Sequence, residues 1–217
     1  MLLNGEDNVI SRTFFVITPI ESPNSTPAMD LPPPVQFEPS RHQAIVDQLA
    51  AIHRDCILQD GTLATFLPDE KGNLDITRII KYWSERSEQV AKGAREIIVQ
   101  FTDLTQSEVA GFVSLDMPFS ETGPFRGMVE KMLVSPRHRY KGVARRVMAE
   151  LERVAVERGR TVLFLDTVIG SGAELVYPKL GYKLVGRIPK YGIHPTTREF
   201  VDEMLFYKDL REVQPLS

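Results

Sequence analysis

The stretch from Gly127 to Arg158, GMVEKMLVSPRHRYKGVARRVMAELERVAVER, constrains the fold more than any other. Met128–Val134 is short, apolar and partly alternating, the pattern of a half-buried strand. Ser135 and Pro136 end it, because proline has no N–H to give to a ladder. Beyond the turn, Val143, Val147, Leu151, Val154 and Ala155 recur at three- and four-residue spacing. Arg145, Arg146, Glu150, Glu152, Arg153 and Glu157 take the opposite face, so a helix follows, and Gly159 stops it. Thr161–Val168 (TVLFLDTV) is then a near-continuous apolar run, as in a strand covered on both faces beside a parallel neighbour. A strand–helix–strand crossover of this kind sets the two strands parallel.

The turn between strand and helix carries Arg139, Gly142 and Ala144 in the spacing R-x-x-G-x-A. The first N–H groups of a helix have no partners inside it, and the helix dipole puts partial positive charge at the same end. Gly142 and Ala144 let a ligand approach that backbone, and Arg139 and Lys141 add charge. A phosphate or pyrophosphate is the expected guest. Neither G-x-x-x-x-G-K-[ST] nor G-x-G-x-x-G occurs, which excludes the Walker loop and the dinucleotide fingerprint.

Composition narrows the function classes. The 217 residues suffice for one domain, and a net charge of −3 gives no global pull toward nucleic acid or a membrane surface. The single cysteine, Cys56, excludes an internal disulfide and fits a reducing compartment, with burial as its expected role. Four scattered histidines with that cysteine form no metal-ligand cluster, so no metal is expected. No apolar run is long enough for a membrane span, and acidic Glu6 and Asp7 argue against a secretory signal, so a cytoplasmic protein is expected.

Along the rest of the chain, residues 1–12 read as a loose polar start. Thr13–Ile20 reads as a first strand, and Glu21–Ser40, with six prolines, as a loop. Arg41–Gln59 is helical, with Ser40 as its cap, and a second helix from Ile76 to about Lys92 is capped by Asp75 and carries Trp83 as a core residue. Glu96–Thr102 and Glu108–Met117 form a hairpin around DLTQS. Ser171–Leu180 reads as a short helix closed by Gly181, followed by strands over Tyr182–Ile188 and Phe200–Lys208.

The central strand, the [QR]-x-x-G-x-[GA] turn and the helix together resemble the acetyl-CoA-binding motif of the GNAT superfamily of N-acetyltransferases. Arg139, Gly142 and Ala144 stand in place. Ala173, Tyr177, Gly181 and Tyr182 fit that superfamily's A-x-x-x-Y-x-x-x-G-[FY] pattern, in the right order after the first motif. Many members carry Asn three residues before that Ala; here it is Gly170, and Ser171 is the alternative polar contact to the pantetheine. From Met128 to Leu210 the chain is similar to the tabtoxin-resistance type of small acetyltransferases, through LDTVIGSGAELVYPKLGYKLVGRIPKYGIHP, whereas the first hundred residues are not.

The resemblance implies a single-domain α/β (α+β) GNAT fold. Its sheet is mixed, mostly antiparallel, of about six to seven strands, with a central parallel pair splayed at the acetyl-CoA site and helices on both faces. The domain spans 13–211, includes the proline-rich loop 21–40 and leaves a tail at 212–217. Acetyl-CoA is the implied co-substrate. Met132, Leu133 and Val134 would line its pantetheine, with an oxyanion N–H near Leu133. Arg139, Tyr140, Lys141, Gly142, Val143, Ala144 and Arg145 would hold its phosphates, with Ser171, Ala173 and Tyr177 on the other wall.

The implied reaction moves an acetyl group to the primary amine of a small molecule, by direct transfer in a ternary complex, in a monomer or homodimer. Tyr177 is the candidate acid for the leaving thiolate, or a packed structural tyrosine. Glu130, expected on one face with Met128 and Met132, is the candidate base with a raised pKa, or a carboxylate paired to Lys131 or Arg126. Asp166 works beside it at the acceptor, or caps a turn. A non-catalytic CoA-binding protein and an enzyme acting on protein amines remain the alternatives.

Overall fold

The structure, a computed structural model, describes residues 31–212. The expected strand Thr13–Ile20 and the loose residues 1–12 lie outside them. One seven-stranded sheet runs in the order β1-β2-β3-β4-β5-β7-β6. Its strands are β1 (Val35–Gln36), β2 (Arg95–Phe101), β3 (Val109–Asp116), β4 (Arg126–Val134), β5 (Val162–Val168), β6 (Lys183–Ile193) and β7 (Phe200–Asp209). Among the described residues, only β4 and β5 pair in parallel; every other neighbouring pair is antiparallel. Helices α1 (Pro39–His42), α2 (Val46–Asp60) and α3 (Ile76–Ala91) cover one face, and α4 (Val143–Glu157) the other. The implied mixed sheet with one parallel pair and helices on both faces is the one adopted.

Alternation along the strands divides the core in two. Ile98, Ala110, Val113, Leu115, Leu163 and Leu165 pack against Val147, Met148, Leu151 and Val154 of α4. Ile97, Val99, Phe101 and Phe112 pack under α2 and α3 against Leu49, Ile79 and Trp83. Cys56 and Trp83 are both buried here, as expected, and burial pushes the Cys56 thiol up to about 11, so it stays protonated.

Several local expectations are corrected. The proline-rich loop contains β1, which pairs with Val99 and Ile98 at the sheet edge, where the three prolines before it leave no missing ladder bond. Ser40 does not cap the first helix but lies inside it. Its N-cap is Glu38 with Pro39 at the first position, and the backbone N–H of Glu38 donates to His42 Nδ1 at 2.9 Å. A 3₁₀ turn at Gln43–Ile45 then separates α1 from α2. The Asp75 cap stands, with its carboxylate accepting from the Thr77 N–H at 2.9 Å. Ser171–Leu180 is two 3₁₀ turns, Ala173–Leu175 and Tyr177–Leu180, because Pro178 lacks the N–H an α-helix would direct to Glu174. The second strand of the parallel pair is buried on both faces only in its first half: Val162, Leu163 and Leu165 are buried, while Asp166 is exposed.

Two features of the sheet shape the site. A Cβ at Gly111 on β3 would stand 2.8 Å from both the Leu133 carbonyl oxygen and Val143 Cγ1, so glycine there lets β4 and the start of α4 close onto β3. On β4, Lys131 has φ of 53° and the register slips: Ser114 faces Glu130 but Phe112 faces Leu133. One extra residue on β4 is a bulge. It corrects the expected face sharing, because Glu130 and Leu133 now share a face while Met132 turns to the α4 core.

Candidate active site

The parallel pairing of β4 and β5 lasts three residue pairs, Arg126↔Val162, Gly127↔Leu163 and Met128↔Phe164. Beyond Met128, before the bulge at Lys131, the strands part, and a cleft of about 820 Å³ opens between their carboxyl ends. It has three regions, each built by a different element.

The first is the start of α4. Gly142 is its N-cap with φ of 76°, and no side chain caps the helix. The N–H groups of Val143, Ala144 and Arg145 find no acceptor among the described residues; the first turn closes only with Arg146 N–H to the Gly142 carbonyl at 3.1 Å. These groups line the cleft together with Tyr140, which has φ of 60° and is fully exposed. Nothing lies within 4 Å of a Cβ built at Gly142, so the glycine serves its backbone angle and leaves open space above the helix end. Arg139 is tied to Asp60 at the end of α2, with Nη1 2.6 Å from Oδ1 and a second contact from Nη2 to Oδ2. Lys141 is exposed beside it. An anionic, diphosphate-bearing group fits this turn.

The middle region is backbone. Met132, Leu133 and Val134 line the cleft on the edge of β4 that β5 has left. Opposite them, Ser171 Oγ donates to the Val168 carbonyl at 2.8 Å, and Glu174 accepts from the Gly170 N–H at 2.8 Å, which shapes the turn carrying Ala173.

The third region is acidic. Glu130 Oε2 accepts from Arg95 Nη1 at 2.8 Å, and neither Lys131 nor Arg126 is its partner. Arg95 is buried and also donates to Ser114 Oγ and Asp116 Oδ1, so the Glu130 carboxyl is held in place on the cleft wall. Tyr177 is 6% exposed and packs against Tyr182 and Phe206. Burial, and then the charge of Asp166, hold its phenol well above the ordinary value, so it remains a proton donor. Both sequence acids and Tyr177 line the same cleft.

Sequence reasoning missed Glu203 of β7. It is 6% exposed and lines this cleft beside Asp166. Burial, then a hydrogen bond to Asp166 and the Asp166 charge, push its carboxyl up to about 8. An acid inside the apolar strand FVDEMLFYK was the available signal. Arg95, His194 and the spacer Gly111 were missed as well. Among the described residues, no group of three or more His, Cys, Asp or Glu is placed to hold a metal ion, and no helix is long and apolar enough to cross a membrane.

Comparison with known proteins bears on this arrangement. Residues 66–182 match the sequence profile of the acetyltransferase (GNAT) family. Among solved structures, the fold is shared with an Acinetobacter baylyi ADP1 protein at 17% identity and TM-score 0.64, over 84% of this chain and 94% of that one. It is shared with the Salmonella typhimurium protein yncA, solved with its cofactor acetyl-CoA, at 15% identity and TM-score 0.61, over 82% and 95%. A ribosomal-protein-alanine N-acetyltransferase from Brucella melitensis matches at 20% identity and TM-score 0.62, over 81% and 99%.

Proposed function

The chain belongs to the GNAT acetyltransferase family and uses acetyl-CoA, and from that premise we propose that it acetylates the primary amine of a small cationic molecule. The observation that carries this reading is the cluster of Glu130, Asp166 and Glu203 in one cleft with Tyr177. Such a cluster draws an ammonium group and holds a carboxylate near the nitrogen that must lose a proton.

The shape of the acceptor end supports a small molecule. The segment after α2 meets the end of β6 and the β6–β7 connection at three points: Gly61 against His194, Leu63 against Gly192, and the Pro68 carbonyl accepting from Arg198 Nη2. Gly61, Leu63 and His194 line the cleft with the acids, and a cleft bordered on that side suits a compact amine better than an extended peptide. The tabtoxin-resistance type remains the kind of activity the second half of the chain resembles.

In this reading, the α4 turn with Arg139, Tyr140, Lys141 and Arg145 holds the diphosphate, and the free edge at Met132–Val134 pairs with the pantetheine as a strand would. The N–H near Leu133 steadies the developing oxyanion. Ser171 and Ala173 border the other wall. Tyr177 gives its proton to the departing sulfur. The single buried thiol of Cys56 supports a cytoplasmic setting.

A thiol-release screen with acetyl-CoA tests the proposal. One arm contains small amines, diamines and amino acids; the other contains peptides with a free N-terminal alanine. Release with the small cationic amines is expected. Release with peptides alone transfers the activity to protein amines, as the Brucella melitensis protein's name describes for that enzyme. Acetyl-CoA binding without release to any amine supports a non-catalytic role.

A further inference from the structure

Asp166 and Glu203 lie on adjacent antiparallel strands, Asp166 opposite Leu205 and Glu203 opposite Val168. Residues two apart on a strand share a face, so the acids are diagonal neighbours on one side of the ladder. Both line the same cleft, and Asp166 raises the Glu203 pKa through hydrogen bonding and through its charge. Below about pH 8 the pair keeps one proton, since two bare carboxylates so close repel each other; above it both are ionised. Glu203 is the dry member and Asp166 is open to the cleft. The space for Glu203 comes from β6: a Cβ at Gly192 would stand 2.8 Å from Glu203 Oε1.

The charged and titratable groups around this pair come from several elements. Lys131 and Glu130 face the cleft from β4, Tyr177 from the second 3₁₀ turn, and His194 from the β6–β7 connection. Lys131 acts on Glu203 by its charge and opposes the upward pull, while Asp166 acts on Tyr177. Glu130 is bound to Arg95. The pair is therefore a built site, with one acid reachable and one sheltered on the same face of adjacent strands.

We propose that Asp166 and Glu203 act as one proton-accepting pair, and that Glu203 takes the proton the acceptor ammonium must lose before its nitrogen attacks. The proposal rests on reading the cleft as an acetyl-transfer site. The step starts from the fully ionised pair, the form present above about pH 8: an N–H bond of the ammonium breaks and an O–H bond forms on Glu203. The positive charge of the amine and one negative charge of the pair disappear together, leaving a lone pair on nitrogen. Asp166 meets the ammonium first and accepts a hydrogen bond from Glu203 once the proton has moved. A sheltered carboxyl that holds its proton up to about 8 is matched to this task near neutral pH, which an ordinary surface carboxylate is not.

The test uses the full-length chain with ¹³C-labelled glutamate carboxyls. One glutamate signal is expected to titrate near pH 8, to vanish in Glu203→Gln and to move downward in Asp166→Asn. In parallel, thiol release from acetyl-CoA is followed from pH 6 to 9.5 with whichever small primary amine turns over. Wild-type kcat/KM is expected to rise through pH 8. Glu203→Gln loses that limb and falls on the order of 10²-fold, and Glu203→Asp restores part of it. Two results overturn the pair: no glutamate titrating above pH 6, or a Glu203→Gln profile that superimposes on wild type. Absence of thiol release with every amine overturns the amine reading instead, and the carboxyl titration then decides the pair by itself.

Discussion

Trp83 donates its indole N–H to His53 Nδ1 at 3.1 Å, and His53 uses its other ring nitrogen, Nε2, to donate to the Ala64 carbonyl at 2.7 Å. With Nδ1 accepting and Nε2 donating, the imidazole is a neutral tautomer. Phe66, Tyr82 and Trp83 surround the ring, and His53 has no exposed surface. Ala64 lines the cleft, so this buried chain fixes the loop that borders it after α2.

A pH dependence of stability follows. Burial lowers the His53 pKa from 6.5 to about 4. Between those values the unfolded chain binds a proton that the folded chain refuses. Stability is therefore whole above about pH 6.5 and declines as pH falls toward 4, by about 3 kcal/mol from this one group. Urea unfolding at pH 7.5 and 4.5 measures it. His53→Leu is expected to be less stable at neutral pH but to show a smaller loss on acidification; an equal loss removes His53 as the cause.

Gly142→Glu is expected to abolish acetyl-CoA binding while leaving the fold intact. The new side chain has open space, so it does not disturb the core, but its carboxylate stands where the diphosphate is proposed to sit. The residue also has to adopt φ of 76°, at a cost of about 1–2 kcal/mol. Calorimetry on the folded variant reads the loss; unchanged affinity would remove the α4 turn as the phosphate site.

Tyr177→Phe is expected to keep acetyl-CoA affinity and lower kcat by about 10²-fold or more, since only the hydroxyl is lost and the ring still packs on Phe206. A change of two- or three-fold would make Tyr177 a packing residue only. Burial keeps the phenol protonated, so no limb of the wild-type pH profile should belong to it.

Gly111→Ala is expected to destabilise by about 1–3 kcal/mol through overpacking and to weaken acetyl-CoA binding at the same time. The methyl would press on the Leu133 carbonyl and on Val143, the first residue of α4. Thermal melts with and without acetyl-CoA separate the two effects.

The strand–turn–helix–strand around Arg139, Gly142 and Ala144 was readable because it depends on local pattern: a period of two, then glycine, then a period of 3.6. The Asp75 cap and the β2–β3 hairpin were local in the same way. What escaped was set by register and by partners far along the chain. Lys131 carries no mark of a bulge, yet that one extra residue moves Met132 to the other face of the sheet. Arg95 reaches Glu130 across 35 positions, and Glu203 meets Asp166 only because β7 returns beside β5. Pro178 was visible and should have argued against an α-helix over Ser171–Leu180.

The short seam between β4 and β5 has a mechanical consequence. With three rungs, the sheet is two plates fastened at one end, and every unmade rung beyond Met128↔Phe164 is a place where a tear has already begun. A bound molecule that hydrogen-bonds along Met132–Val134 while touching Ala173 and Ser171 would span the tear and act as its suture. Resistance to unfolding then depends on how much of that molecule surrounds the protein, gaining about 1.4 kcal/mol for each tenfold rise above its dissociation constant. A cell rich in acetyl-CoA would in this way hold the two plates together, and a starved one would leave the same chain easier to pull apart and degrade.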